Sequence, residues 1–176
     1  MMKTATLAVL AAGLFLSAPP LSAQVKINRI DWQLSTGQAP KKLVFEAIPE
    51  IKLDLNQKFL HKLRAVIALQ NASAKPAGGL VLRCALSLRL VRTADAADQG
   101  FWAVPFKVEE LRVSRVLPSG TYEAKLLYYH LNEQLKKLKN TGFRADALKL
   151  AVMLEPRQGD APAEIIRESV ISIKTP

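Results

Sequence analysis

The stretch 79–92 constrains the fold of this chain more than any other segment. Its apolar residues fall on every second position, and they are Leu80, Leu82, Cys84, Leu86, Leu88 and Leu90. An extended chain turns alternate side chains to opposite faces, whereas a helix would distribute these six around its surface. The pattern therefore predicts a long β-strand with one apolar face, although leucine itself favours helices. Such a strand cannot bury its own face, so the rest of the chain must supply a covering layer.

Shorter alternations of the same period recur along most of the chain. They fall within the segments 25–34, 43–55, 63–69, 104–113, 122–128 and 148–154. Residues 165–174 are predicted to form a last strand, whose partly apolar residues on both parities suit a position inside a sheet. A change of apolar parity after Ile27 predicts a bulge in the first of them, or a strand that moves between two sheets. Pro49 and Pro105 lack amide donors, which favours edge positions for the strands around them, and two short strands joined at Pro49 are the alternative there. The segment 71–79 is rich in loop-forming residues, so residues 63–92 are expected to form an antiparallel hairpin.

The period changes at one place in the last third of the chain. Four leucines are spaced by four, four and three residues: Leu127, Leu131, Leu135 and Leu138. Asn140 and Gly142 are suited to end a helix, so we expect an amphipathic helix over residues 130–140. Together the patterns predict a mainly β fold. The specific expectation is an antiparallel Ig-like β-sandwich of seven to nine strands with one inserted α-helix near 130–140.

Three segments of the chain share features with a known class of β-sandwich. Residues 63–73 form a strand pattern that ends in an Asn-containing turn, and residues 79–92 form the long strand. Leu117-Pro118-Ser119-Gly120-Thr121-Tyr122 is a Pro/Gly turn that leads into a strand. In these segments, which span residues 63–129, the chain resembles bacterial Ig-like extracellular modules, including those related to cell adhesion. The resemblance implies a module that binds or spaces other components without catalysis.

The first 23 residues have the composition of a secretory signal peptide. Lys3 provides a basic start, residues 5–16 form an apolar run too short to span a bilayer, and small residues precede Gln24. We therefore predict that residues 1–23 are cleaved and that residues 24–176 form a single β-sandwich domain, which is periplasmic or secreted. An uncleaved N-terminal anchor is the alternative. No second apolar stretch is long enough for a transmembrane segment.

Positive charge dominates the chain, with 25 Lys and Arg residues against 15 Asp and Glu residues and a formal net charge of +10. Such an excess favours anionic partners. For an exported chain we expect an envelope or secreted protein, or an anionic envelope surface, as the partner, and no nucleic acid. The candidate binding surface comprises an aromatic anchor and a basic cluster: Trp102, Lys136, Lys137, Lys139 and Arg144. The alternative is that the charge serves solubility alone.

The sequence offers few groups for catalysis. His61 and His130 are the only histidines, and neither lies in a nucleophile or metalloenzyme motif. Cys84 is the single cysteine, which excludes an internal disulfide, and its position predicts an inert core residue. We therefore expect no enzyme activity, no cofactor and no metal.

These expectations combine into one functional hypothesis. The chain is predicted to be an exported, non-enzymatic Ig-like module of the bacterial cell envelope, with a binding or structural role. A periplasmic chaperone or assembly factor that acts by β-augmentation is the alternative. A third hypothesis, a hydrolase or metal-binding enzyme built on both histidines, requires the fold to bring them together.

Overall fold

The protein folds into two β-sheets with two short helices. The computed structural model describes residues 24–35, 43–54, 59, 61–94, 99–128, 130–158 and 160–175. Most of these residues lie in strands, which confirms the mainly β prediction. The predicted signal peptide, residues 1–23, lies outside the described residues, so its cleavage stays a prediction.

Ten strands are present in the described part of the chain. They are β1 (Val25–Ser35), β2 (Phe45–Ala47), β3 (Glu50–Lys52), β4 (Leu63–Asn71), β5 (Ala77–Arg92), β6 (Phe101–Trp102), β7 (Lys107–Val116), β8 (Thr121–Tyr128), β9 (Phe143–Leu154) and β10 (Ile166–Lys174). The helices are α1 (Leu131–Lys137) and α2 (Pro162–Ile165). The predicted number of seven to nine strands is too low, because β2, β3 and β6 have only two or three residues each, which is too few for a recognisable alternation. Neither helix is long and apolar enough to cross a membrane.

The strands form a four-stranded and a six-stranded sheet. The order is β2-β1-β4-β8 in the first and β3-β10-β9-β5-β6 in the second, where β7 also pairs with β5. Apolar residues of both sheets belong to one hydrophobic core. The predicted purely antiparallel pairing is corrected, because β3 and β10 are parallel. β3 reaches the edge of the six-stranded sheet directly from β2 of the other sheet, so no hairpin sets its direction. An Ig-like arrangement stays a prediction.

β5 has the position that its alternation predicts. It pairs with β9 along one edge and with β6 and β7 along the other. The residues of its leucine face from Leu80 to Leu88 are at most 4% exposed, and Leu90 packs against the core. The long strand is therefore the centre of the six-stranded sheet.

The predicted hairpin over residues 63–92 is wrong, because β4 and β5 lie in different sheets. β4 pairs instead with β1 and β8. The segment after β4 is held by the buried side chain of Asn71, whose Nδ2 donates hydrogen bonds to the carbonyl oxygens of Lys75 (2.8 Å) and Leu117 (3.0 Å). This anchored loop carries the chain from one sheet to the other rather than folding β5 back along β4.

Other local predictions are confirmed. The register of β1 shifts between Ile27 and Arg29, where the apolar parity changes. Pro49 separates β2 and β3, which are edge strands of different sheets. Pro105 lies between β6 and β7, which follow one another along the same edge of β5.

The helix α1 is shorter than the predicted helix over residues 130–140. It ends at Lys137, and Asn140 and Gly142 in the following turn have positive φ angles of 65° and 77°. Asn and Gly are the residues that most readily adopt this left-handed conformation. The residues expected to end a helix therefore form a turn of their own, which leads into β9.

Candidate functional site

The five residues of the predicted binding surface divide into two groups. Lys136 and Lys137 end α1, and Lys139 lies in the turn that follows. Trp102 in β6 and Arg144 in β9 lie instead on the outer face of the six-stranded sheet, which is directed away from the core. The fold therefore does not place the tryptophan and the lysines on one face.

The helix α1 presents its lysines to solvent because its leucines are turned inward. It connects the end of β8 in one sheet to the start of β9 in the other, and so covers one end of the core. Leu131 is fully buried, and two further leucines, Leu135 and Leu138, pack against the core. All three lysines are exposed. This is the amphipathic arrangement that the leucine spacing predicts.

Two aromatic residues lie at the same end of the six-stranded sheet. Phe101 in β6 and Phe143 in β9 contact each other edge to face, with ring centroids 5.8 Å apart and ring planes at 89°. Phe101 pairs with Leu90, and Phe143 pairs with Arg92. Leu90 and Arg92 have the same parity as the leucine face of β5, so both rings lie on the inner side of the sheet. Phe101 is 51% exposed, and the pair therefore offers an aromatic surface to solvent.

Arg92 places a fourth cation beside the aromatic pair. It is the last residue of β5, it is exposed, and its register partner is Phe143. The turn after α1 is attached at the same point, because the backbone N–H and the hydroxyl of Thr93 both donate to the carbonyl oxygen of Gly142, at 2.9 and 3.2 Å. We use the name basic end for the group formed by Arg92, Lys136, Lys137, Lys139, Phe101 and Phe143.

The cations of the basic end are not neutralised by neighbouring acids. Within the described ranges, none of the four has a carboxylate oxygen within 4.0 Å. Lys137 donates one hydrogen bond, to Oε1 of Gln134 at 3.3 Å. Several acidic residues elsewhere are held in ion pairs, as Asp146 is with Arg89 at 2.6 Å. This part of the chain therefore carries four positive charges without a close acidic partner, and each acts over a Debye length of about 8–10 Å.

Trp102 has a different electrostatic environment. Nζ of Lys149 lies 4.9 Å from its ring centroid, and its register partner Arg89 makes a two-point ion pair with Asp146. Lys149 is itself paired with Glu168 at 3.2 Å. The two cations nearest the indole are thus already neutralised, whereas Arg144 on the same face has no acidic partner among the described residues.

Ionisable groups near the core are held in their neutral forms. Burial, and secondly the charge of Glu109, raise the pKa of the Cys84 thiol to about 12. Burial also raises the pKa of Tyr128 to about 12, against a hydrogen bond with Gln134 that lowers it. Neither group is an anionic nucleophile at neutral pH. The buried position predicted for Cys84 is confirmed.

The two histidines have separate partners. Nδ1 of His61 lies 3.2 Å from the carbonyl oxygen of Ser35, and Nδ1 of His130 lies 3.1 Å from Oε1 of Glu133. In the ranges that the structure describes, no three potential metal ligands come together. The expected lack of a metal, a cofactor and an enzyme activity stays a prediction.

Sequence reasoning identified the three lysines but missed Arg92 and Phe143, and it did not connect Phe101 with the lysines. These residues meet only through the pairing of β5 with β6 and β9. One local signal in the sequence points to this arrangement. Asn140 and Gly142 favour a turn, so the lysines are expected shortly before the start of the next strand.

Comparison with known proteins gives a structural likeness alone. No family model matches the chain, and no curated protein does. Among solved structures, the chain is similar to alkylpurine DNA glycosylase AlkC from Pseudomonas fluorescens, bound to DNA that contains an abasic site analogue. The TM-score is 0.44 and the identity 12%, over 86% of this chain. The chain spans about a third of the length of that protein, since the match covers 31% of it.

Against this match two predictions are wrong. The first is the exported, non-enzymatic envelope module, together with its alternative of a periplasmic chaperone acting by β-augmentation. The second is the prediction that the partner is an envelope component and not nucleic acid, which conflicts with the DNA bound to the similar protein. A likeness at this TM-score does not assign an activity to the chain.

Proposed function

We propose that the protein binds single-stranded nucleic acid at the basic end. The observation that carries this proposal is the Phe101–Phe143 ring pair, which is partly exposed, has Arg92 beside it and follows the exposed lysines of α1 and its turn along the chain. None of these four cations has an acidic partner among the described residues. Single strands are bound by this combination, in which cations follow the phosphate backbone and aromatic rings stack on successive bases.

The aromatic pair favours a single strand over a duplex. In a duplex the faces of the bases are covered by their neighbours, whereas an unpaired base can lie against an exposed ring. Stacking of this kind contributes about 1–3 kcal/mol per base and tolerates any sequence. We therefore expect binding with little sequence preference, since every base has a face that can stack on a ring and the phosphate contacts carry no sequence information.

The arrangement of the cations suits a flexible backbone. Arg92 is carried by β5, whereas the three lysines are carried by α1 and the turn that leads into Phe143, so the charges come from two elements. A single strand can bend to place phosphates on both sides while its bases contact the rings. If the predicted leader directs export, the strand would be nucleic acid outside the cytoplasm.

Photochemical cross-linking locates the binding site. The protein is irradiated in the presence of an oligothymidine, and the cross-linked peptides are identified by mass spectrometry. We expect the modified residues to include Phe101 or Phe143, because these rings would lie against the bases. The Phe101→Leu variant serves as a control, since it keeps an apolar side chain but removes one ring. Cross-links at neither Phe101 nor Phe143 would contradict the proposal, as would a total yield of cross-links that the Phe101→Leu substitution does not lower.

A further inference from the structure

The edge strand β6 carries two aromatic residues that point to opposite sides of the six-stranded sheet. Phe101 lies on the inner side and Trp102 on the outer face, since successive side chains of a strand alternate. Phe101 is 51% exposed and Trp102 is 37% exposed. In the described part of the chain β6 pairs with β5 alone, so no paired strand covers its other edge. A ligand that lies against Phe101 can therefore reach Trp102 by passing around this open edge.

An arginine accompanies the aromatic residue on each side of the sheet. Arg92, at the end of β5, has the parity of the inner side, and its register partner is Phe143. Arg144 is the next residue of β9; it pairs with Val91 and so lies on the outer face. Neither arginine has a carboxylate oxygen within 4.0 Å among the described residues. The combination of an exposed ring and a cation without a close acidic partner thus occurs on both sides of one end of the sheet.

The indole of Trp102 is held from one side. Nζ of Lys149 lies over the ring, 4.9 Å from its centroid. Lys149 is carried by β9, which lies beyond β5 as seen from β6, so it contacts the indole from the centre of the sheet. The opposite face of the ring is therefore turned towards the open edge of β6. A cation–π contact of this kind keeps the indole in one orientation and leaves that outward face for a base.

We propose that a single strand bound at the basic end continues around the open edge of β6 and stacks a further base on Trp102. This inference rests on the proposed function and extends the site from one side of the sheet to both. A strand on this path gains one phosphate contact, with Arg144, beyond the four cations of the basic end. A duplex does not fit the path, because a persistence length of about 150 base pairs makes so sharp a turn costly.

The path also sets the length of the nucleic acid. Each ring stands about 5 Å from the sheet, which is half the separation of two packed sheets, so the way around the edge is roughly 15–20 Å. About eight nucleotides, at about 3.4 Å or more each, are long enough to reach both rings. About three nucleotides are too short to do so, and we expect them to bind at the basic end, where the four cations attract them.

Tryptophan fluorescence tests the contact with the indole. The chain has two tryptophans, and Trp32 is only 7% exposed, with its indole N–H donating to Oγ of Ser169 at 2.9 Å. A base that stacks on Trp102 quenches its emission, whereas Trp32 is shielded. We expect an oligothymidine of about eight nucleotides to quench part of the emission of the parent. In the Trp102→Phe variant this quenching should be lost while the affinity stays within about twofold, because a ring remains for the base.

Affinities of substituted proteins test what the contact contributes. Trp102→Leu should weaken binding of the strand of about eight nucleotides about tenfold, because one stacked base is lost, and should leave binding of the strand of about three nucleotides unchanged. Tyr122→Leu is the matched control. Tyr122 is also an exposed aromatic residue, at 38%, but it lies in β8 of the other sheet, so this variant should bind both strands as the parent does. Thermal unfolding shows that each variant is folded.

The outcomes separate this inference from the proposed function. It is overturned if the longer strand binds without quenching, or if Trp102→Leu binds that strand as tightly as the parent. Equal losses in Trp102→Leu and Tyr122→Leu would overturn it as well. If Phe101→Leu weakens binding and Trp102→Leu does not, the strand lies on the inner side alone, and only the extension around β6 is wrong. A parent protein that binds neither strand would overturn the proposed function, and this inference with it.

Discussion

Replacement of Leu86 by alanine is expected to lower the free energy of unfolding by about 2–5 kcal/mol. Leu86 is 1% exposed in the middle of β5, and its register partners are Leu150 on β9 and Lys107 on β7. The strands on both sides of it hold the backbone in place, so the space left by the lost side chain cannot close easily. Urea unfolding of the parent and the variant measures the difference.

The neighbouring residue provides the control for this prediction. Ser87 points to the outer face, and Ser87→Ala removes one oxygen atom without leaving a cavity in the core. We expect a change of about 0.5 kcal/mol or less. Equal losses in the Leu86→Ala and Ser87→Ala variants would contradict the alternation on which the six-stranded sheet is built.

Binding of an oligothymidine is expected to weaken about 50-fold between 50 and 200 mM salt. Each phosphate that a cation neutralises releases counterions, so that the logarithm of the binding constant falls with the logarithm of the salt concentration by about 0.7 per phosphate on a single strand. Four contacts, from Arg92, Lys136, Lys137 and Lys139, give a slope of about −2.8. Fluorescence anisotropy of a labelled strand at several salt concentrations measures this slope.

A shallow slope would contradict the assignment of the four cations. Stacking on Phe101 and Phe143 depends little on salt, so binding through the rings alone would leave the affinity nearly constant over this range. The same titration with Phe101→Leu separates the two contributions. This variant should bind more weakly at every salt concentration but keep the slope of the parent.

Local periodicity is sufficient to predict the longer strands, but not their partners. The alternation in β5 and the parity change in β1 are visible within a few residues, because they reflect which side of a strand meets the core. The hairpin over residues 63–92 failed because a loop rich in turn residues can either reverse the chain within a sheet or carry it to another. Asn71 anchors the second arrangement through carbonyl oxygens as distant as that of Leu117, which a local pattern does not show.

The basic end illustrates the same division. The leucine spacing in α1 correctly predicts that the lysines face solvent, because the leucines occupy the side of the helix that packs against the core. Arg92 and Phe143 are far apart in sequence and become neighbours only through the pairing of β5 with β9. Trp102 is predicted to share a surface with the lysines because it is a large aromatic residue beside a loop. Its position in β6 directs it instead to the outer face of the sheet, away from Phe101 and Phe143.

The most direct test of the proposed function is a comparison of two variants that remove the same number of charges from different places. The first replaces Arg92, Lys136, Lys137 and Lys139 by glutamine. The second replaces one arginine and three lysines that lie away from the basic end, also by glutamine: Lys26, Lys75, Arg112 and Lys125. Both have the same net charge. Because exposed charges contribute little to stability, their unfolding midpoints should stay close to that of the parent.

Affinity for an oligothymidine at low salt is the deciding measurement. We expect the first variant to bind on the order of 100-fold more weakly than the parent, and the second to lose less than about threefold, because only the first removes the cations that border the aromatic pair. Equal losses in the two variants would show that binding follows net charge rather than the basic end. Unchanged binding in the first variant would contradict the proposed function outright.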